Sequence, residues 1–248
     1  MSLYAHELRT QQLTFWRSRE SAIFVFVFPL LLYALLGSVY DETIDGRPAG
    51  DVLLAGLLGY GCANTAFAGL AITLVLRRES GILKRIRSTP LPAATYVAAL
   101  LSSVLLTFAL QALVLILLGR ALFGAGLPDR PGSLVAAVLL GAAAFAGLGL
   151  GAAALIRSAE GASAVVNVVL LPMAFLSGSF GPTRDFPDWL QAIADVLPLK
   201  HYLDVVNGVL LEDEGVWHDP ASIAVVAAWG LAGLAVAWRR FGWEPRER

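Results

Sequence analysis

Long stretches without a charged residue dominate the hydropathy pattern of this chain. Six of them are 19 to 32 residues long, and they lie at 21–40, 52–76, 88–119, 131–156, 161–183 and 220–238. About 20 helical residues, at a rise of 1.5 Å each, cross the hydrocarbon core of a bilayer. Backbone groups in hydrocarbon must be bonded within a helix or a closed barrel, and these stretches do not alternate as barrel strands do. The pattern therefore predicts an all-α, polytopic membrane protein with six transmembrane helices in one domain, residues 1–248.

The third stretch is longer than a crossing requires. Pro90 and Pro92 lie near its start, so we expect its spanning part to begin near Tyr96. Six crossings place both termini on the same side of the membrane. With the termini in the cytoplasm, 13 of the 18 Lys and Arg residues lie in cytoplasmic segments and 5 in outer segments. Cytoplasmic loops attract Lys and Arg, so we expect both termini to be cytoplasmic.

Composition excludes several other classes of function. The chain is 57% hydrophobic and 15% charged, with a mean hydropathy of +0.70 and a net charge of −1, so no basic field indicates nucleic-acid binding. A single cysteine, Cys62, forms no internal disulfide and is expected to be a packing residue. Its three histidines are scattered, which predicts no metal site, and no phosphate-binding loop motif is present. We expect no catalytic residue and no bound cofactor in this chain.

Two segments on the cytoplasmic side have amphipathic patterns. In residues 1–20, Tyr4, Leu8 and Phe15 share one helical face, which predicts a helix lying along the membrane surface; an ordinary polar lead-in is the alternative. In the loop 77–95, an apolar face of three residues adjoins basic residues, and Pro90 ends the helix. This second pattern predicts a short helix on which a cytoplasmic partner docks; a basic anchor for lipid headgroups is the alternative. The apolar face consists of Ile82, Leu83 and Ile86, and the basic residues are Lys84, Arg85 and Arg87.

The outer segment 184–219 is long for a plain connection. Apolar residues recur at helical spacing from Phe186 to Leu197, and a second such pattern begins after Pro198. Neither run can span the bilayer. We therefore predict two short re-entrant or surface helices that cap the outer side, with Trp189, Leu190 and Tyr202 as candidate outer-gate residues. Pro198 is expected to stop the first helix.

The spanning stretches contain neutral polar residues but no ionisable residue away from their edges. Asn64, Gln111 and Asn167 either line a translocation path or form hydrogen bonds between helices. A carrier coupled to protons or sodium ions normally has an ionisable group at membrane depth, so the energy source is expected elsewhere. Gly147 and Gly151 allow close approach of another helix, from this chain or from a second copy.

Several motifs together resemble the ABC-2 type transport permeases, over nearly the whole chain. Residues 78–90 are similar to that family's loop Arg-Glu-x-Gly-Thr-Leu-x-x-Leu-x-x-x-Pro, although Ile82 and Ile86 replace the usual Thr and Leu. The other matches are Phe-Pro-Leu-Leu at 28–31, Phe-Leu-Ser-Gly at 175–178, Pro-Asp-Trp-Leu at 187–190 and Leu-Pro-Leu at 197–199.

The resemblance implies that two permease chains, identical or different, pair in the bacterial plasma membrane above two separate ABC ATPase subunits. ATP and Mg would bind to those subunits. The cytoplasmic loop would be the ATPase-coupling element, comprising Glu79, Gly81, Leu83, Lys84, Arg85 and Arg87. The size and short outer loops look most like the drug and antibiotic exporters of the family, while export of polysaccharide or lipid is also compatible.

Two other functions remain open from the sequence. An ion-coupled carrier or channel would move its substrate without an ATPase, and an assembly protein would move none. Copurification with a phosphate-loop ATPase would distinguish a permease from both.

Overall fold

The computed structural model describes residues 2–40, 43–126 and 128–245, and these form an almost entirely helical protein. Its α-helices are α1 (Leu3–Arg17), α2 (Arg19–Val39), α3 (Ala49–Cys62), α4 (Leu70–Glu79), α5 (Ile82–Arg87), α6 (Ala93–Phe123), α7 (Pro131–Leu155), α8 (Ala159–Leu176), α9 (Asp188–Ala194), α10 (Pro198–Leu211) and α11 (Pro220–Arg240). Two short antiparallel strands, β1 (Thr43–Ile44) and β2 (Arg47–Pro48), form a hairpin after α2, with Thr43 opposite Pro48. A 3₁₀ turn, Val216–His218, precedes α11.

Six helices are long and apolar enough to cross a membrane: α2, the continuous helix Ala49–Glu79, α6, α7, α8 and α11. This confirms the predicted polytopic all-α fold. The boundaries differ in two places. Helix α6 begins at Ala93, ahead of the expected start near Tyr96. Helix α8 ends at Leu176, well inside the charge-free stretch, because the chain then turns through Gly178 and Gly181, whose φ angles are 85° and 153°.

The second span contains a feature that the hydropathy pattern did not predict. Helices α3 and α4 are joined by a seven-residue π-helix, Ala63–Gly69. In the middle of this span, the backbone hydrogen bonds therefore join residues five apart and not four apart. Gly149 of α7 lies against this segment: a Cβ atom on Gly149 would be 2.8 Å from the carbonyl oxygens of Ala66 and Phe67. Short π-segments are rare and recur at functional positions of helices. This span is the most buried of the six and forms the centre of the bundle.

Helix α11 packs along α7 more extensively than any other pair of described helices pack together. Glycines allow this approach, because a Cβ atom on Gly147 would lie 2.4 Å from the carbonyl oxygen of Gly230. One turn further on, a Cβ atom on Gly151 would lie 2.7 Å from the carbonyl oxygen of Gly233. The small-residue pair of α7 therefore has its partner within the same chain, which answers a question that the sequence left open.

The segment between α8 and α11 forms the two predicted short helices, α9 and α10. Pro198 was expected to stop the first helix, but α9 has already ended at Ala194, and Pro198 is the first residue of α10. A proline suits this position, because the first N–H group of a helix has no partner within the helix. Helix α10 packs against α3, α7 and α11. That either helix enters the bilayer stays a prediction.

The β-hairpin is bonded to this segment by two ion pairs. Arg47 of the hairpin lies 2.7 Å from Glu212 and also donates to the carbonyl oxygen of Leu211 at the end of α10. The second ion pair, between Arg184 and Asp45, measures 2.6 Å. The hairpin and the two short helices thus form one assembly at the end of the bundle opposite α5.

Candidate functional site

The corner between α4 and α5 is the predicted coupling loop. Gly81 makes the corner with a φ angle of 74°, a conformation that side chains other than glycine rarely adopt. Helix α5 then runs for six residues, and the backbone N–H groups of Ser88 and Thr89 bond back to its last turn ahead of Pro90. The result is the short helix that the sequence predicts, held between two spans by a tight turn on each side.

Helix α5 presents a basic and partly apolar surface to the outside of the bundle. Lys84, Arg85 and Arg87 are exposed, and Ile82 is 43% exposed beside them. None of the three basic side chains forms an ion pair with a described residue. A partner that approaches this surface therefore meets three exposed cationic side chains and an apolar side chain.

Leu83 occupies a different place from the other predicted coupling residues. Its side chain is 0% exposed and belongs to the hydrophobic core of the bundle. It cannot contact a partner directly in this conformation; instead it anchors α5 to the spans. The three-residue apolar face expected from the sequence is divided in the structure, with Leu83 inside, Ile86 half-buried and Ile82 outside.

Arg78, the residue just before Glu79, is the most deeply buried charged side chain among the described residues, with 1% exposure. Its Nη1 and Nη2 atoms donate to the carbonyl oxygens of Ala153 and Ile156 at 2.8 and 2.7 Å. Its Nε atom donates to Glu79 at 2.8 Å. The last carbonyls of a helix lack partners within that helix and carry partial negative charge, so Arg78 caps the C-terminus of α7.

Arg77 points the opposite way, towards α1 and α6. Its Nη1 atom donates to Oε1 of Gln11 at 2.7 Å and to the hydroxyl of Tyr96 at 2.9 Å. Gln11 is buried, and its amide nitrogen donates in turn to Glu7 one turn earlier in α1. The network extends to the C-terminal segment, because the ring of Trp243 packs against Tyr96 with a centroid distance of 6.0 Å.

Helix α1 is attached to α6 by further polar contacts. Gln12 donates to the carbonyl and hydroxyl oxygens of Ser103, both at 2.9 Å, and the hydroxyl of Tyr4 donates to Ser102 at 2.8 Å. The predicted N-terminal amphipathic helix is therefore fixed along the start of the third span. That it lies in the membrane surface stays a prediction.

Two neighbouring arginines thus connect the base of α5 to three other helices. Arg77 reaches α1 and α6, and Arg78 reaches α7. From the sequence, these two residues indicated only the orientation of the chain in the membrane, as basic residues on the cytoplasmic side, and their bonds to other helices were not predicted. Their position at the end of an apolar helix, before a glycine corner, was the available signal, because a charge there must leave the hydrocarbon or find partners.

The three residues predicted for a translocation path do not meet in the structure. Gln111 is buried, accepts from the hydroxyl of Thr65 at 2.9 Å and donates to the carbonyl oxygen of Val25 at 2.8 Å. Asn64 is buried within the π-helical segment. Asn167 alone is exposed on the surface of this chain, at the ninth of the eighteen residues of α8.

The three candidate outer-gate residues are likewise separated. Trp189 of α9 is 63% exposed, and Leu190 beside it is half-buried. Tyr202 of α10 is 1% exposed, and its ring packs edge-on against Phe145 of α7 with a centroid distance of 5.8 Å. The sequence predicted Tyr202 as an outer-gate residue in the second of the two short helices, whereas the structure places its side chain in the core.

Comparison with known proteins identifies the fold. The model of the family described as ABC-2 type transporter matches residues 5–211, a range that includes most of α1, the α4–α5 corner and all of α10. The chain belongs to the ABC-2 type transporter family. Membership confirms the resemblance to this family, and together with the six apolar helices it indicates a multi-pass membrane protein.

Three similar proteins are each named as permeases. The putative transport permease YvfS of Bacillus subtilis is 24% identical over 75% of this chain and 76% of its own length. The inner membrane transport permease YhhJ of Escherichia coli is 26% identical, and the probable multidrug ABC transporter permease YbhR of the same organism is 22% identical. Both alignments cover 68% of this chain. The chain spans less than half of these two relatives, 45% of YhhJ and 47% of YbhR.

Proposed function

We propose that this chain is the permease subunit of an ATP-driven exporter and that separate ABC ATPase subunits dock on α5. The observation that carries the proposal is the exposed basic surface of α5, which adjoins the end of α4, where Arg77 and Arg78 bond to three other helices. A docking element must be exposed to its partner and firmly attached to what it moves. Helix α5 meets both conditions, and the chain itself contains no phosphate-loop motif.

The attachment suggests how force would reach the spans. A displacement of α5 acts on Gly81 and Glu79, and through the hydrogen bonds of Arg78 it acts on the end of α7. The same displacement reaches α1 and α6 through Arg77. Closure of the paired ATPase subunits, which would bind ATP and Mg, would thus tilt several spans together without any catalytic residue in this chain.

Asn167 supports pairing with a second permease chain. An amide at the middle of a membrane helix is unfavourable in hydrocarbon unless it has a hydrogen-bonding partner. In the described chain it is exposed on α8, between the exposed apolar residues Val165 and Val168. We propose that this face of α8 lies against the second permease, identical or different, or against the path between the two. Asn64 and Gln111 then serve the packing of the bundle.

The proposed substrate is a hydrophobic or amphipathic molecule, such as a drug, an antibiotic or a lipid-like compound. The apolar interior and the name of the relative YbhR, a probable multidrug permease, support this class. The proposed location is the plasma membrane of a bacterium, with both termini in the cytoplasm. The excess of basic residues on the α5 side supports this orientation.

Affinity purification with a matched pair of variants tests the proposal. The tagged chain is expressed in its native host, and proteins that copurify in mild detergent are identified and quantified by mass spectrometry. We expect a phosphate-loop ATPase near one copy per permease chain. The double variant Arg85→Glu, Arg87→Glu should lose most of that ATPase and its export activity while still inserting into the membrane.

The control is Arg239→Glu, Arg240→Glu, which reverses two exposed charges at the end of α11, on the same side of the bundle. It should retain the ATPase. If the native chain repeatedly purifies without an ATPase and moves a substrate along an ion gradient by itself, the chain is a secondary carrier and the proposal fails.

A further inference from the structure

The surface between α6 and α7 contains an apolar groove that opens away from the bundle. Its volume is about 340 Å³, and its walls include Leu105, Leu113 and Ile116 of α6 with Val135, Val138 and Leu139 of α7. We infer that this groove, together with Arg120 at its end, is a binding site for an anionic phospholipid of the bilayer. The site is independent of the proposed transport activity.

The length of the groove fits one acyl chain of one leaflet. Its wall on α6 extends from Leu105 to Ile116, which at 1.5 Å per residue is about 16 Å, and its shorter wall on α7 extends from Leu134 to Leu139, about 8 Å. The hydrocarbon core of a bilayer is about 30 Å thick, so one leaflet contributes about half of it. The groove begins near the middle of α6 and runs towards the connection between α6 and α7. It therefore has the depth of a single leaflet and not of the whole membrane.

Arg120 stands where the headgroup of such a lipid would lie. On α6 it follows Ala109, Leu113 and Ile116 at spacings of eleven, seven and four residues, which places it on the helical face that lines the groove. It is one turn beyond Ile116, or about 6 Å, and it lies in the last turn of α6, which ends at Phe123. Its side chain is exposed and has no ion pair or hydrogen bond with any residue that the structure describes.

A second arginine at the same end of the bundle is directed elsewhere. Arg130 precedes α7, and its Nη1 atom lies 3.6 Å from the position that a Cβ atom on Gly215 would take, beside the connection between α10 and α11. Asp129 adjoins it in sequence. Arg120 is thus the cation aligned with the groove, and Arg130 supplies a control of equal charge at nearly the same depth.

The apolar lining and the arginine beside it favour one class of ligand, an anionic phospholipid. An apolar groove one leaflet deep accepts an acyl chain, and a guanidinium at its polar end pairs with a phosphate. A zwitterionic lipid has a cationic group beside that phosphate, whereas phosphatidylglycerol has none. An anionic headgroup is therefore favoured, by about fivefold if a single arginine near the surface makes the contribution usual for such residues.

Competition between two lipids tests the site in the full-length protein. The purified protein is placed in nanodiscs of equimolar phosphatidylglycerol and phosphatidylcholine, and the lipids that remain bound after release are counted by native mass spectrometry. The unaltered protein should retain phosphatidylglycerol in preference to phosphatidylcholine. Arg120→Gln should lower that preference about fivefold, Arg120→Lys should keep most of it, and Arg130→Gln should leave it within twofold.

A second pair of variants tests the groove itself. Val135→Trp fills it and should reduce the number of retained lipids, whereas Leu117→Trp, at an exposed position of α6 outside the lining, should not. Equal retention of the two lipids by the unaltered protein would overturn the inference, and so would an unchanged preference in Arg120→Gln. Loss of permease pairing in Val135→Trp, with lipid retention unaltered, would assign the groove to a second protein chain and would also overturn it.

Discussion

The side-chain amide of Gln111 donates a hydrogen bond of 2.8 Å to the backbone carbonyl of Val25, 86 residues away in the first span. Four residues after Val25, α2 contains Pro29, which has no N–H group to bond that carbonyl. Gln111 of α6 therefore supplies the donor that the proline removes. An unpaired carbonyl at membrane depth costs free energy, and the neighbouring helix avoids that cost.

This relationship predicts a specific non-additivity. Gln111→Leu should lower the free energy of unfolding by about 1 kcal/mol, because it leaves the carbonyl of Val25 without a donor. In the Pro29→Ala background the restored N–H bonds that carbonyl, so the same substitution should cost less. A double-mutant cycle on thermal stability in detergent measures the difference. Equal costs of Gln111→Leu in both backgrounds would contradict this account.

The cap on α7 predicts a larger effect at Arg78. Arg78→Ala should lower the free energy of unfolding by about 3 kcal/mol, because it leaves Glu79 half-buried without its cation and two helix-terminal carbonyls without donors. Arg78→Lys should be intermediate, since an ammonium group cannot reproduce the forked geometry. Chemical denaturation followed by intrinsic fluorescence provides the measurement. A stability of Arg78→Ala within about 0.5 kcal/mol of the unaltered protein would show that the cap is unimportant.

The close packing of α7 on α11 predicts strong dependence on glycine. Gly147→Ala places a methyl group against the backbone of Gly230, so the helices must separate at a cost of about 1–3 kcal/mol. Gly132→Ala, near the start of α7, meets no atom within 4 Å and serves as the control. The control should be neutral or slightly stabilising. Comparable melting temperatures of the two variants would argue against the observed helix pairing.

Unlike substitution of Gln111, substitution of Asn167 should leave the stability of the single chain unchanged and should weaken the pairing of two chains. Because it is exposed on α8, Asn167→Leu should change the stability of the single chain by no more than about 0.5 kcal/mol. Loss of an interhelical hydrogen bond should nevertheless weaken pairing of permease chains about threefold or more, measured as the dimer fraction by mass photometry. Val168→Leu, at the neighbouring exposed position, should retain pairing. Pairing and export that both survive in Asn167→Leu would exclude this residue from the interface and from the path.

The sequence predicted the spans well because the hydropathy of each residue contributes independently to membrane insertion. The short helices α5 and α9 were also predictable, since a glycine or proline marks their ends. Contacts between distant segments were not. Gln111 looks the same in sequence whether it faces a path or the carbonyl of Val25, and only packing decides between them.

At the corner between α4 and α5, contacts with distant segments were likewise not predictable from the sequence. Arg77 and Arg78 are identical and adjacent, yet their side chains bond to different helices because successive helical residues point about 100° apart. The π-helical segment packs against Gly149 of α7, and no local pattern in the sequence predicts a π-helix there. Leu83 was expected on the apolar face that a partner meets and Tyr202 at the outer gate, but in the structure both side chains pack into the core. Amphipathic spacing identifies a helix more reliably than it identifies which face meets a partner.

Site-specific photocrosslinking in cells can show whether α5 is the surface on which an ATPase docks. A photoreactive amino acid is placed at Arg85, and in a separate variant at Trp217, which is 76% exposed at the opposite end of the bundle. We expect the Arg85 position to crosslink to a protein with a phosphate-loop motif and the Trp217 position not to do so. Crosslinks to such an ATPase from Trp217, or only to lipid from Arg85, would contradict it.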